Sequence, residues 1–103
     1  MTTHRPVPNA LTIAGSDPSG GAGIQADLKS FSALGAYGTS IITALTAQNT
    51  RGVRGVHPIP VEFIRLQLDT LLDDVALDAV KIGMVASREV AETIRDALDA
   101  LSS

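Results

Sequence analysis

The alternation of short apolar runs with segments of helical periodicity constrains the fold of this chain most. The first apolar run, residues 10–14, ends at Gly15, and a glycine-rich stretch and a helical apolar pattern up to Leu34 follow it. The order then continues as strand, edge segment, helix, strand and helix. Strands that alternate with helices indicate an α/β fold with a parallel sheet.

Local signals set the limits of the first elements. We predict a helix over residues 23–34, which Gly35 ends. Residues 39–47 read as one buried strand, because their apolar side chains do not alternate cleanly with polar ones. Residues 48–55 are polar and contain glycine, which predicts a loop, and residues 53–59 form at best a short edge strand.

Three later elements complete the pattern. Pro60 suits the first position of a second helix, residues 79–83 form a third short strand, and Ser87 has the side chain of an N-cap for a third helix. Three parallel strands are few for a sheet that needs both faces covered. We therefore expect residues 1–9 to be a tail and residues 10–103 to be the opening part of a larger doubly wound domain.

Composition excludes several classes of function. The 103 residues carry a net charge of −3 and only eight Lys and Arg, which argues against a nucleic-acid or anionic-membrane surface. The absence of cysteine excludes thiolate metal sites and disulfides, and it suits a reducing cytoplasm. His4 and His57 have no partner that would indicate a metal or catalytic pair, and we interpret His57 as a solvated loop residue. No apolar run predicts a signal peptide or a membrane span.

The number of lysines bears directly on whether this chain handles phosphate. Lys29 and Lys81 are the only two lysines in the sequence. An enzyme that transfers phosphate normally brings several cations to its reaction centre. Either this chain does not handle phosphate, or the groups that do so lie elsewhere.

Glycines 20, 21 and 23 fall between the first strand and the first helix. They would let backbone N–H groups approach a ligand at the positive end of the helix dipole, although a tight strand-to-helix turn explains them equally well. The loop is not a Walker A motif, because no lysine and hydroxyl pair follows Gly20. The dinucleotide fingerprint at residues 21–26 starts too far beyond the strand and lacks a following acidic ribose ligand.

Four side chains near the predicted strand ends are candidates for binding. Asp17 in the loop is typical of an Asx turn, whereas Asp27, expected in the first helical turn, lies on the apolar side of that helix. Gln48 can donate and accept at once, which matches the edge of a heterocycle, but such residues more often bond backbone. Met84 could pack on a flat ring of a ligand, although methionine more often fills space in a hydrophobic core. These positions predict a small, largely neutral pocket.

The residues also resemble a known family. Residues 10–50, ALTIAGSDPSGGAGIQADLKSFSALGAYGTSIITALTAQNT, closely resemble the N-terminal part of the hydroxymethylpyrimidine/phosphomethylpyrimidine kinases of thiamine biosynthesis, and residues 72–84, LDDVALDAVKIGM, are similar too. GSDPSGGAGIQAD together with TALTAQNT is the specific part. The resemblance implies a ribokinase-like αβα sandwich, of which this chain supplies about the first three core strands.

The resemblance also implies an activity. Members phosphorylate 4-amino-5-hydroxymethyl-2-methylpyrimidine and then its monophosphate with ATP and Mg²⁺. The substrate-binding positions of the family map onto six residues here, with the glutamine gripping the pyrimidine edge: Gln48, Asp27, Ala22, Gly15, Thr46 and Met84. Members are considerably longer, and their C-terminal part carries the ATP site and the catalytic anion hole. The resemblance therefore places no catalytic, metal-binding or cofactor-binding residue in this chain.

We expect the isolated chain to be the inactive acceptor-substrate half of a cytoplasmic kinase. One alternative is a pyridoxal kinase of the same superfamily, whose substrate is also a flat nitrogen heterocycle with a hydroxymethyl group. Another is a non-catalytic module that binds the pyrimidine, or that pairs by a strand edge with a separate C-terminal chain. Because the superfamily commonly dimerises, a homodimer is a further expectation.

Overall fold

The protein is described by a computed structural model that covers residues 7–85 and 87–101. It contains five strands and three helices within those residues. In chain order these are β1 (Asn9–Ala14), α1 (Gly23–Ala33), β2 (Tyr37–Ile42), β3 (Ala44–Asn49), β4 (Gly52–Pro58), α2 (Val61–Leu72), β5 (Ala79–Ile82) and α3 (Arg88–Asp99).

Three strands form the parallel sheet that the sequence predicts. Their order is β2-β1-β5, so the first strand is central, and both of its neighbours run parallel to it. In the register, Ile13 lies beside Ile41 on one side and beside Ile82 on the other. The carboxyl ends of all three strands therefore meet at one edge of the sheet, where open α/β folds bind ligands.

One face of the sheet holds the main hydrophobic core. Alternate residues of a strand point to opposite faces, so Leu11 and Ile13 share one face of β1. Helices α2 and α3 pack against that face. The buried cluster consists of Leu11, Ile13, Ile41, Ile64, Leu68, Ile94 and Ala97.

The opposite face carries small side chains and is covered by α1. Ala10 and Ala14 of β1 are buried there. The fit is tight at Gly38 of β2, where a Cβ atom would lie 2.8 Å from Leu28 Cδ2. Helix α1, the sheet, and the pair α2 and α3 thus form three layers in the αβα order.

The single strand predicted over residues 39–47 is wrong. The chain leaves the sheet at Thr43, whose N–H donates to Ala14 O at 3.0 Å and whose carbonyl accepts from Ile59 N at 3.0 Å. The residues beyond Thr43 form β3, which pairs with β4 in an antiparallel hairpin. Apolar content alone did not reveal the change of partner.

The hairpin also corrects the loop predicted over residues 48–55. Only residues 50 and 51 form the turn, and Gln48 and Asn49 belong to β3. His57 lies in β4 rather than in a loop, although it is exposed as expected. The edge strand predicted over residues 53–59 is β4, which begins one residue earlier and is seven residues in length.

Helix ends agree closely with the sequence signals. The backbone N–H of Leu34 still bonds back into α1, and Gly35 follows with a φ of 83°. The Ser87 side chain caps α3, because its Oγ accepts from Val90 N at 3.2 Å. Asn9, which we predicted to be the last residue of a tail over residues 1–9, belongs to β1. His4 lies outside the described residues.

The two edges of the parallel sheet differ. At the β2 edge, Gln67 Nε2 donates to Ile42 O at 2.9 Å, and Ile42 N donates to Gln67 Oε1 at 3.0 Å. One side-chain amide thus satisfies both backbone groups of Ile42 at the end of β2. At the other edge all four residues of β5 are exposed. That edge is open to pairing with another strand.

Residues 7–85 and 87–101 contain neither a membrane-spanning helix nor a cluster of metal-binding side chains. None of the helices there has both the length and the hydropathy that crossing a bilayer requires. No group of three His, Cys, Asp or Glu side chains converges on a shared point where a metal ion would bind.

Candidate functional site

The glycine-rich loop after β1 is folded around its own carboxylate. Asp17 is 3% exposed. Its Oδ1 accepts from Ser19 N at 2.9 Å and from Ser19 Oγ at 2.6 Å, and its Oδ2 accepts from Gly21 N at 3.1 Å and Ala22 N at 2.9 Å. The Gly21 N–H, which the sequence offered to a ligand, therefore points at Asp17, and Gly20 N donates to the carbonyl oxygen of Asp17 at 2.9 Å. The carboxylate takes the place of a bound anion at Ser19, Gly21 and Ala22, and the predicted Asx turn at Asp17 is present.

Electrostatics favours the ionised form of this residue. The hydrogen bond from the Ser19 hydroxyl, together with the three backbone N–H donors, lowers the pKa of Asp17 below its ordinary value, although burial opposes the shift. The Asp17 N–H in turn donates to Gln25 Oε1 at 2.7 Å, which ties the loop to α1.

The start of α1 lies directly against the end of β1. Gly23 has a φ of 60°, and a Cβ atom there would collide with the carbonyl oxygen of Gly15. Ile24 N donates to the same oxygen at 3.0 Å. Only glycine allows this approach without strain. Glycine is therefore required at position 23 by the close packing of the backbone in the strand-to-helix turn.

Asp27 is bound on the α1 side of the sheet. Its Oδ2 accepts from Thr12 Oγ1 at 2.6 Å, and both carboxylate oxygens lie 2.9 Å from Lys81 Nζ. Burial raises the pKa of the Asp27 carboxyl, but the Thr12 hydroxyl and the Lys81 ammonium outweigh it and hold the pKa below its ordinary value.

This environment corrects one expectation about Asp27. The first turn of α1 contains no acidic residue, because Asp27 lies in the second turn. Its charge is balanced by Lys81 rather than by the helix dipole. A lysine inside an otherwise apolar strand is the signal in the sequence for this ion pair, and the sheet register places Lys81 beside Thr12.

The base of the hairpin is fastened to the glycine loop through Ser16. Ser16 N donates to Ala44 O at 2.9 Å. Thr46 Oγ1 lies 2.7 Å from Ser16 O and 3.2 Å from Gln48 Oε1, and Thr46 N donates to Ser16 Oγ at 3.3 Å. Thr46 and Gln48, two of the predicted binding residues, thus belong to one polar network.

A cavity of about 590 Å³ opens at the carboxyl edge of the sheet. Gly15 and Met84 line it, as does the start of α3 at Ser87. Met84 is 94% exposed, so its side chain is free to contact a ligand. Thr43 and Ala44 also line the cavity, and sequence reasoning missed them because it placed them inside a continuous strand.

The predicted site residues thus fall into three neighbouring groups. Gly15 and Met84 line the cavity, Thr46 and Gln48 form the network on the hairpin, and Ala22 and Asp27 belong to the α1 side. The cavity lining does not include the last four of these residues. Their roles in binding stay predictions.

Comparison with known proteins identifies the family. The sequence matches the family model for phosphomethylpyrimidine kinase over residues 17–103. This chain belongs to the phosphomethylpyrimidine kinase family. Its relatives are phosphotransferases, and the ribokinase-like αβα fold expected from the resemblance is confirmed.

A relative found by sequence and a neighbour found by structure are both phosphomethylpyrimidine kinases. The hydroxymethylpyrimidine/phosphomethylpyrimidine kinase of Escherichia coli K12 is 62% identical over 90 residues, which cover 87% of this chain and 34% of that protein. The crystal structure of phosphomethylpyrimidine kinase from Clostridium difficile 630 matches with a TM-score of 0.87 at 53% identity, covering 92% of this chain and 41% of the other.

A pyridoxal kinase is also similar. The structure of the Staphylococcus aureus enzyme in complex with AMP-PCP and pyridoxal matches with a TM-score of 0.81 at 38% identity. The match covers 91% of this chain and 35% of the chain of that enzyme. The chain spans about a third of the length of the curated kinases it matches. It therefore corresponds to one part of the phosphomethylpyrimidine kinase fold.

Proposed function

We propose that this chain forms the acceptor-substrate part of a kinase that phosphorylates 4-amino-5-hydroxymethyl-2-methylpyrimidine and then its monophosphate in thiamine biosynthesis. The observation that carries the proposal is the Ser16–Thr46–Gln48 network beside the glycine loop, which holds a side-chain amide next to the carboxyl edge of the sheet. A neutral amide at such an edge suits a neutral heterocycle. We place the reaction in the cytoplasm.

We infer that the described residues do not themselves bind ATP. The glycine loop already points three backbone N–H groups at Asp17, so it offers no cradle for a phosphate. Both lysines are also engaged, Lys29 with Gly20 O at 3.0 Å and Lys81 with Asp27. Phosphoryl transfer needs a positioned nucleotide, Mg²⁺ and cations at the transferred group. We therefore assign the donor site to the part of the family fold that lies outside these residues.

If the donor site lies outside these residues, we expect the rest of the family fold to add its next strand at the free edge of β5. All four residues of β5 are exposed, and Val80 and Ile82 are 39% and 48% exposed, although their registered neighbours in β1 are buried. A strand that continues the parallel sheet would cover them. A second chain carrying the C-terminal part of the fold would bind in the same way. Homodimerisation is a further proposal for the intact protein.

Pyridoxal is the second candidate substrate, because the pyridoxal kinase of Staphylococcus aureus shares the fold at 38% identity. Isothermal titration calorimetry with the hydroxymethylpyrimidine and with pyridoxal separates the two. We expect tighter binding of the pyrimidine. Tighter binding of pyridoxal would overturn the choice of substrate.

Substituting Gln48 with alanine tests the site itself. We expect Gln48→Ala to weaken pyrimidine binding by about 1–3 kcal/mol, since buried polar groups of the ligand would lose their partner. Thr50→Ala, in the exposed turn of the same hairpin, is the control and should bind as the original protein does. Equal affinity in Gln48→Ala and Thr50→Ala would remove Gln48 from the site.

A further inference from the structure

The hydroxyl of Thr46 faces two oxygen atoms at once. Thr46 Oγ1 is 2.7 Å from the carbonyl oxygen of Ser16 and 3.2 Å from Gln48 Oε1. A hydroxyl has one proton to donate, and a carbonyl oxygen can only accept. The shorter contact, to Ser16 O, takes the proton. The longer one would then leave two acceptors facing each other.

The side-chain amide of Gln48 can relieve this conflict. A half-turn about its last bond exchanges oxygen and nitrogen while the shape of the side chain is unchanged. With the nitrogen facing Thr46, Gln48 donates into a lone pair of the hydroxyl that already donates to Ser16 O. All three groups are then satisfied, and the carboxamide oxygen is on the side away from Thr46.

We propose that Thr46 is a positioning residue that fixes the polarity of Gln48, so that Gln48 presents an acceptor oxygen to the ligand. This inference rests on the proposed function in taking Gln48 as a ligand contact. Within residues 7–85 and 87–101, the outward atom of the amide has no hydrogen-bond partner, which leaves it available to a ligand. A ring that carries an amino group at that edge is bound, and a ring that carries a carbonyl there is disfavoured.

Two substitutions of Thr46 separate positioning from packing. Thr46→Val keeps the shape but removes the hydroxyl, and Thr46→Ser keeps the hydroxyl. The readout is the ratio of dissociation constants for the 4-oxo and 4-amino forms of 5-hydroxymethyl-2-methylpyrimidine, measured by calorimetry on the intact protein. We expect Thr46→Val to reduce this ratio about five- to tenfold, the effect of one oriented hydrogen bond, and Thr46→Ser to preserve it.

If Thr46 had a merely structural role, Thr46→Val would weaken the binding of both ligands by the same factor and leave the ratio of dissociation constants unchanged. That result would overturn the proposal. The orientation is also measurable without any ligand. In the unsubstituted protein, we expect strong NOE cross-peaks between the Gln48 side-chain amide protons and the Thr46 methyl group. Their absence, with the backbone of β3 intact, would overturn the proposal as well.

The two proposals fail in different ways. If the unsubstituted protein binds neither pyrimidine, the proposed function fails, whereas the NOE measurement still decides the orientation of Gln48. If the 4-amino ligand binds and Thr46→Val leaves the ratio unchanged, the proposed function stands and the inference about Thr46 fails.

Discussion

Single side chains decide what the glycine-rich loop can bind. Asp17 directs its carboxylate at the N–H groups of Ser19, Gly21 and Ala22, which elsewhere would hold a phosphate. The glycine content of the loop predicts flexibility and anion binding, but one aspartate replaces the anion. The residue identities were visible in the sequence, whereas the direction of the carboxylate depends on the fold of the loop.

Replacing Asp17 with asparagine tests this reading. Asparagine has one acceptor oxygen and brings an NH₂ group toward backbone donors, so we expect Asp17→Asn to lower the Tm by several degrees. Differential scanning calorimetry at neutral pH measures the change. Asp74→Asn, on an exposed residue after α2, should leave the Tm within error. A Tm unchanged in Asp17→Asn would show that the carboxylate does not hold the loop.

The same variant should alter the dependence of stability on pH. The folded-state pKa values of Asp17 and Asp27 are both lowered, so their stabilisation is present above the unfolded pKa and is lost as the pH falls through the folded pKa. Stability therefore decreases below about pH 4. We expect the decrease to be smaller in Asp17→Asn, because only Asp27 then contributes.

Among the secondary-structure elements, the β3–β4 hairpin differs most from what the sequence predicted. Residues 39–47 are apolar enough for one long strand, yet Thr43 divides them between a parallel sheet and an antiparallel hairpin. The division depends on Thr43 bonding to Ala14 of β1 and to Ile59, which follows β4. Such long-range pairing leaves no periodic signal in the sequence. The three helices, in contrast, were predictable because apolar spacing and caps are local.

Gln67 of α2 is predicted to stabilise the β2 edge. Gln67→Ala removes both hydrogen bonds to Ile42 and leaves that residue's backbone groups without their partner. We expect the free energy of unfolding to fall by about 1–3 kcal/mol in urea denaturation. Thr70→Ala, one turn further along α2 and exposed, should cost less than about 0.5 kcal/mol. Equal effects of the two substitutions would contradict the role of Gln67.

For the whole molecule, the decisive feature is an asymmetric parallel sheet. At its β2 edge Gln67 bonds to the backbone of Ile42, whereas its β5 edge exposes apolar side chains. The chain matches about a third of the curated hydroxymethylpyrimidine/phosphomethylpyrimidine kinases. We therefore propose that the donor site lies in the remainder of the family fold and that phosphoryl transfer requires both parts.

The corresponding prediction concerns activity. The isolated 103-residue chain should give no detectable ADP release from ATP with hydroxymethylpyrimidine, because we assign the nucleotide site to the part of the family fold outside the described residues. Adding a separate chain that carries the remainder of the family fold should restore turnover. The added chain alone is the control. Turnover by the 103-residue chain by itself would show that the donor site lies within it.

The sequence by itself determined the order of helices and parallel strands, the αβα layers, and the family, because local periodicity and two specific motifs are sufficient for these. Only the tertiary structure decided that Asp17 fills the glycine loop, that Lys81 and Thr12 hold Asp27, and that Thr46 and Gln48 share one network. These contacts join residues on different elements or depend on the direction of a side chain. Their geometry exists only when β1, α1, β5 and the hairpin are packed together.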